Sequence, residues 1–168
     1  MPLKAEGEFA LVREQLEKAF DRSGQPVKRG TMAHDHDLYM ILTDTAAQLR
    51  DPAALKQYAP RLEELATRDG HRFYFAIAQR ARGIAFRLAG DLIAASKYLH
   101  EALELFGAVE MRWQVGRTHF EIAELALAQS DPVGARDHFA QALSAFEAMQ
   151  AAPDVKRTRS ALDALGRE

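Results

Sequence analysis

Three stretches of this 168-residue chain repeat at one fixed interval without a gap. They are RDPAALKQYAPRLEELA (50–66), GDLIAASKYLHEALELF (90–106) and SDPVGARDHFAQALSAF (130–146), each 40 residues after the last. Asp51, Asp91 and Asp131 share a register, and Tyr58, Tyr98 and His138 share another. Between the last two copies Ala95 matches Ala135, Ala102 matches Ala142, Leu103 matches Leu143 and Phe106 matches Phe146. A period of this length means one supersecondary unit used repeatedly, whose apolar face is buried only by stacking on its neighbours.

The residues within the period specify a helix pair. Asp is a good N-cap, because its carboxylate accepts the free N–H groups of a first helical turn. Pro52 and Pro132 follow two of the three aspartates, at the position where a helix tolerates proline best. Gly90, just before Asp91, suits the end of the preceding helix. Leu92, Ala95, Leu99, Ala102, Leu103 and Phe106 then form one apolar helical stripe. With 31 Ala and 19 Leu against 17 Val, Ile and Thr together, the composition favours an all-helical protein. The expected map has about eight helices in a single domain: an N-terminal helix at 5–21, pairs at 36–49/52–68, 72–89/92–107 and 110–129/132–149, and a last helix at 154–165. The repeats then span 36–68, 72–107 and 110–149. Residues 22–35 read as a long polar connection. Pro60 is expected to kink or split its helix, since it removes a backbone donor.

Several function classes drop out. The chain has no Cys, which removes disulfides, thiolate zinc sites and thiol catalysis. A formal charge of −2 gives no general reason to bind nucleic acid. No apolar run nears the roughly 20 residues of a membrane span, and the start lacks a signal-peptide core. No nucleophile-elbow, P-loop, dinucleotide or zinc-protease motif occurs. The expectation is a cytoplasmic non-enzyme with no catalytic residue, cofactor or metal.

The candidate ligands have plainer readings. In His34-Asp35-His36-Asp37 the imidazoles and carboxylates are potential metal ligands, yet Asp35 serves equally as a helix N-cap and Asp37 favours a positive helix end. His119 falls at a packing position, His138 takes the place of the two tyrosines, and His100 lies on a surface beside Glu101 and Glu104. Glu63/Glu64, Glu101/Glu104 and Glu121/Glu124 are helical carboxylates, and acid/base work would need them to converge in a cleft, which spacing alone does not show. Lys28 and Arg29, and Lys156, Arg157 and Arg159, make small basic clusters that read as solvated.

The pattern of small and large residues resembles the tetratricopeptide (TPR) repeat family. Gly83 and Phe86 match its first-helix positions, and Ala95, Leu99 and Ala102 its second-helix signature. The next unit has Ala123, Ala126, Ala135, Phe139 and Ala142, and the first has Thr43, Ala46, Leu55, Ala59 and Leu62. The period of 40 exceeds the family's 34, and Tyr39, Gln79 and His119 stand where it has an aromatic. Together with Trp113 early in a first helix, this resembles the long-repeat subgroup of MalT-like and other large bacterial signalling proteins. The resemblance implies a right-handed α-solenoid of three helix pairs with one flanking helix at each end. It also implies a concave groove on the first helices that binds a protein or peptide. Met40, Ile77, Arg80, Ile84, Arg87, Arg117, Phe120 and Glu124 fall on that face, with Asp37, Asp44 and Leu127 near it. The implied role is a scaffold or regulatory module of a larger protein. Alternatives are small-molecule sensing, as in MalT-like regions, and self-association through the end helices.

Overall fold

The computed structural model describes residues 32–166 and, before them, residues 11 and 13–15, which are helical. Seven helices follow one another: α1 (Met32–Gln48), α2 (Pro52–Asp69), α3 (Arg72–Leu88), α4 (Leu92–Ala108), α5 (Arg112–Ala128), α6 (Pro132–Ala148) and α7 (Ala152–Leu165). Among the described residues there is no strand. The array is all-α and solenoid-like, as the repeat implies, and the expected pairs reappear with ends shifted by a few residues. The first helix starts at Met32, so the end of the expected connection is helical. Asp35 therefore sits in the first turn of α1 rather than capping it. The expected helix at 5–21 and the rest of the connection lie mostly outside the described residues.

The links between helices are the most regular feature. A residue with left-handed backbone recurs every 20 positions: Arg50, Gly70, Gly90, Glu110, Ser130 and Gln150, with φ from 52 to 84°. At each one the chain reverses through paired hydrogen bonds. At the third, the Gly90 N–H donates to the Arg87 carbonyl at 3.0 Å and the Asp91 N–H to the Phe86 carbonyl at 3.0 Å. These bonds satisfy carbonyls that a helix end leaves open. Asp51, Asp91 and Asp131 have two tasks. Their N–H closes one helix, and their carboxylate accepts from Ala53 and Ala54, from Ala94, and from Gly134, opening the next. The expected caps are thus present at all three aspartates.

Pro60 does not split α2, which continues from Pro52 to Asp69. Pro60 lies on an exposed face, where the carbonyl deprived of its donor is open to water.

Small residues set the packing distance. A Cβ on Gly83 would stand 2.6 Å from Leu99 Cγ and 3.1 Å from the Leu99 nitrogen, so α3 and α4 meet at bare backbone. Gly116 faces Phe146 and Ala145 in the same way between α5 and α6. Leu55, Leu62, Leu99, Phe106, Phe139 and Phe146 fill the space between the helices. Phe86, expected as the first-helix aromatic, is half-buried and stacks on Tyr98 with ring planes 6° apart. Besides its sequence neighbours, α1 packs on α3 and α3 touches α5, with no comparable contact between α2 and α4 or α4 and α6. The odd-numbered helices α1, α3 and α5 therefore line the inner, concave side.

Helix α7 repeats the first-helix role. Val155, Ala161, Leu162 and Leu165 pack on the cluster built around Phe139 and Phe146. At the positions that in α3 hold Ala76, Gln79, Arg80 and Gly83, α7 carries Lys156, Arg159, Ser160 and Asp163. Those four side chains line an open groove beside Glu147 and Gln150. A polar wall stands where α3 receives its own partner helix.

Candidate functional site

The inner wall is built by one turn of each odd-numbered helix. Asp44 of α1 accepts from Arg80 of α3 at 3.1 Å and from Arg117 of α5 at 2.8 Å. Arg80 also donates to Gln114 Oε1 at 2.6 Å, and its guanidinium lies 5.1 Å from the centre of the Phe106 ring. Arg117 lies 4.8 Å from the Trp113 ring centre. One turn further along, Glu121 accepts from Arg50 at 2.6 Å and from Arg87 at 3.2 Å, while Arg87 reaches Glu124 at 3.6 Å. Arg157 of α7 stacks over Phe120 at 3.8 Å and donates to Gln48 of α1 at 3.3 Å. Trp113 donates its indole N–H to Asp154 at 3.1 Å. The polar groups of α1, α3, α5 and α7 thereby bridge these helices in three clusters, around Asp44, around Glu121 and between Arg157 and Gln48.

Its electrostatics follow from burial and pairing. Burial alone would raise the Asp44 carboxyl, but the guanidiniums of Arg117 and Arg80 reverse this and hold it below the ordinary carboxylate range. Glu121 behaves alike: burial is outweighed chiefly by Arg50, with Arg87 and Arg157 adding to the effect. Burial, reinforced by the neighbouring Arg117 charge, lowers Arg80 to about 10, which leaves it charged at neutral pH. The Nε atoms of Arg87 and Arg157 are buried and have no hydrogen-bond partner among the described residues.

The expected groove residues take on a different character here. Ile77, Arg80, Ile84, Arg117 and Phe120 are buried, Arg80 being only 1 % exposed. Met40, Arg87 and Glu124 are half-buried. Ile77 packs in the core with Leu62, Ala102 and Phe106, Ile84 packs with Leu55, Ala59 and Leu99, and the three arginines face carboxylates of this chain. An Arg80/Arg87 charge reversal with unchanged melting, which a solvent-facing groove would allow, does not fit these contacts. Asp37 is exposed and accepts from the Tyr74 hydroxyl at 2.6 Å, and Leu127 is exposed.

The histidine-rich start of α1 is packed. His36 is 1 % exposed, with Nε2 3.3 Å from Asp69 and its ring against His71 and Tyr74. The His34 side chain lies outside the described residues. His119 is half-buried, as expected of a packing position, with Nδ1 3.0 Å from Nδ1 of His138. His100 is exposed, and its Nδ1 lies 2.8 Å from the Ser96 carbonyl.

A feature that sequence reasoning missed lies at the edge of the inner wall. Phe73, Met111, Trp113 and Met149 line an apolar recess of about 540 Å³, with Glu110, Arg112 and Gln114 at its margin. Met111 and Met149 are 42 % and 47 % exposed. Phe73 and Trp113 are 40 residues apart, and this shared register of two large aromatics was the available signal.

No family model and no curated protein matches the chain. Among solved structures, the chain is similar to BtubC (BKLC) from P. vanneervenii, with 16 % sequence identity and a TM-score of 0.62 over 96 % of this chain and 73 % of that one. Identity that low shows a shared fold and nothing further.

Proposed function

We propose that this chain is a non-catalytic protein- or peptide-binding module of TPR type. In this reading it serves as a scaffold or regulatory part of a larger bacterial signalling protein in the cytoplasm. The observation that carries the reading is the recess of Phe73, Met111, Trp113 and Met149. Apolar side chains are exposed there beside a rigid inner wall. Two exposed methionines make a surface that adapts to a partner's side chains, and a neighbouring tryptophan supplies a stiff anchor. The wall arginines hold the recess in shape and are not contacts themselves. Among the described residues no helix is long and apolar enough to cross a membrane.

The test compares proteins retained from a lysate of the source cells by wild type and by the Met111→Glu/Met149→Glu variant. A protein retained by wild type and lost by the variant, at equal melting temperature, supports the reading. Equal retention moves the contact elsewhere. A second reading, a small-molecule sensor, rests on the recess volume, which falls within the range of about 300–1,000 Å³ usual for ligand pockets. It predicts ligand-dependent melting, with about 2.7 kcal/mol added at 100 times the dissociation constant.

A further inference from the structure

Two of the chain's five methionines line one apolar recess, and the chain has no cysteine. Met111 and Met149 are 42 % and 47 % exposed there, whereas Met40 is half-buried. No thiol competes for an oxidant, and two thioether sulfurs stand open to solvent side by side with Trp113. Phe73 and Trp113 pack against the buried clusters and tie the recess to the core.

We propose that Met111 and Met149 are a paired site of reversible oxidation to methionine sulfoxide by hydrogen peroxide, and that oxidation closes the recess to apolar groups. Its bearing on partner binding rests on the reading of the recess as a docking site. In the oxidation a sulfur lone pair attacks one peroxide oxygen. An S–O bond forms as the O–O bond breaks, and the proton on the transferred oxygen passes to the departing hydroxide, which leaves as water. The sulfur gives up two electrons and the peroxide accepts them.

The fold tolerates this change. The backbone is held at both positions: the Met111 N–H donates to the Phe106 carbonyl at 3.0 Å and the Met149 N–H to the Phe146 carbonyl at 3.3 Å. The repeat also places polar side chains in these registers, His71 in that of Met111 and Asp69 in that of Met149. The recess itself is what changes. Its wall is Phe73, Met111, Trp113 and Met149, with polar residues at the margin. A sulfoxide oxygen there is a strong acceptor, and an apolar group seated against it would strip its water without offering a donor.

The purified intact chain is treated with graded hydrogen peroxide, quenched with catalase, and digested for mass spectrometry. Met111 and Met149 are each expected to gain one oxygen before Met40 does, with Trp113 unchanged. Anilinonaphthalene sulfonate then probes the recess, its uptake read as energy transfer from the single tryptophan, Trp113. Oxidation should abolish the transfer at an unchanged melting temperature. The two methionine sulfoxide reductases, one for each epimer, should restore it. Met111→Leu/Met149→Leu keeps the apolar volume and should retain the transfer after peroxide. Oxidation of Met40 as early as the pair, transfer that persists in oxidised wild type, equal loss in the leucine variant, no recovery with the reductases, or no transfer in reduced wild type would each overturn the proposal. If the leucine variant is misfolded by circular dichroism, loss and recovery in wild type decide. Transfer that follows oxidation while no peptide binds the recess would leave this site standing and reject the docking reading instead.

Discussion

Asp44 and Arg117 are 73 residues apart in sequence and joined by a 2.8 Å hydrogen bond across the inner wall. The same carboxylate holds Arg80, so a single acidic side chain ties α1 to α3 and to α5. Removing it leaves two largely buried guanidiniums without their carboxylate. Asp44→Ala should therefore cost about 3–5 kcal/mol, the range for breaking one side of a buried ion pair. Urea unfolding monitored by helical circular dichroism measures it, and a loss below about 0.5 kcal/mol would mean the pairing contributes little.

Acid should weaken the array in two windows. The His119 ring is held neutral, with its folded pKa about 4 against 6.5 unfolded. Protonation favours the unfolded chain, so this stability is complete above 6.5 and declines as pH falls toward about 4. Asp44 and Glu121 are depressed carboxylates, with ordinary values of 3.8 and 4.5. Their contribution is present above those values and is lost as pH falls further, through their folded pKa values. Melting temperature should thus decline between pH 7 and 4 and drop again below it, and His119→Gln should flatten the upper window. An unchanged upper window in that variant would contradict the assignment.

At the α3–α4 contact there is no room for a side chain. Gly83→Ala brings a methyl within 2.6 Å of Leu99 Cγ and should cost about 1–3 kcal/mol by overpacking. Gly83→Leu should cost more. Wild-type melting in the alanine variant would mean that the helices separate freely.

The six reversals offer changes of opposite sign. Ser130 is exposed and has φ 61°, in the region that favours glycine, so Ser130→Gly should stabilise by about 0.5–1 kcal/mol. Gly90 has φ 84° and open space around it, so Gly90→Ala should cost about 1 kcal/mol through backbone strain alone. Asp91→Ala should also cost about 1 kcal/mol, by loss of the bond to the Ala94 N–H. Thermal melting of the three variants checks the signs together.

The helix pairs were legible because their signals are local and repeated. Asp51, Asp91 and Asp131 announce helix starts, and Gly83 a close contact, from sequence alone. Other features depend on information that local sequence does not carry. Arg50, Glu110, Ser130 and Gln150 adopt left-handed backbone without being glycine, and only their register with Gly70 and Gly90 reveals it. Pro60 reads as a breaker from sequence alone, because sequence does not tell that its face is exposed. The inner arginines, expected to face a groove, pair with Asp44 and Glu121 of this chain. Whether Arg80 faces water or Asp44 depends on how closely α1 approaches α3, which no single repeat encodes. The recess needed Met111, just after one reversal, and Met149, just before another, to meet around Trp113.

Trp113 is the chain's single tryptophan and lines the recess, so it reports directly on occupancy. The most direct measurement is a fluorescence titration of Trp113 with peptides selected from a random display library on the intact chain. Saturable change with wild type, lost in Met111→Glu/Met149→Glu at unchanged melting temperature, is the predicted result. Selected peptides that bind both forms equally, or leave Trp113 fluorescence unmoved at saturation, would contradict binding at this recess.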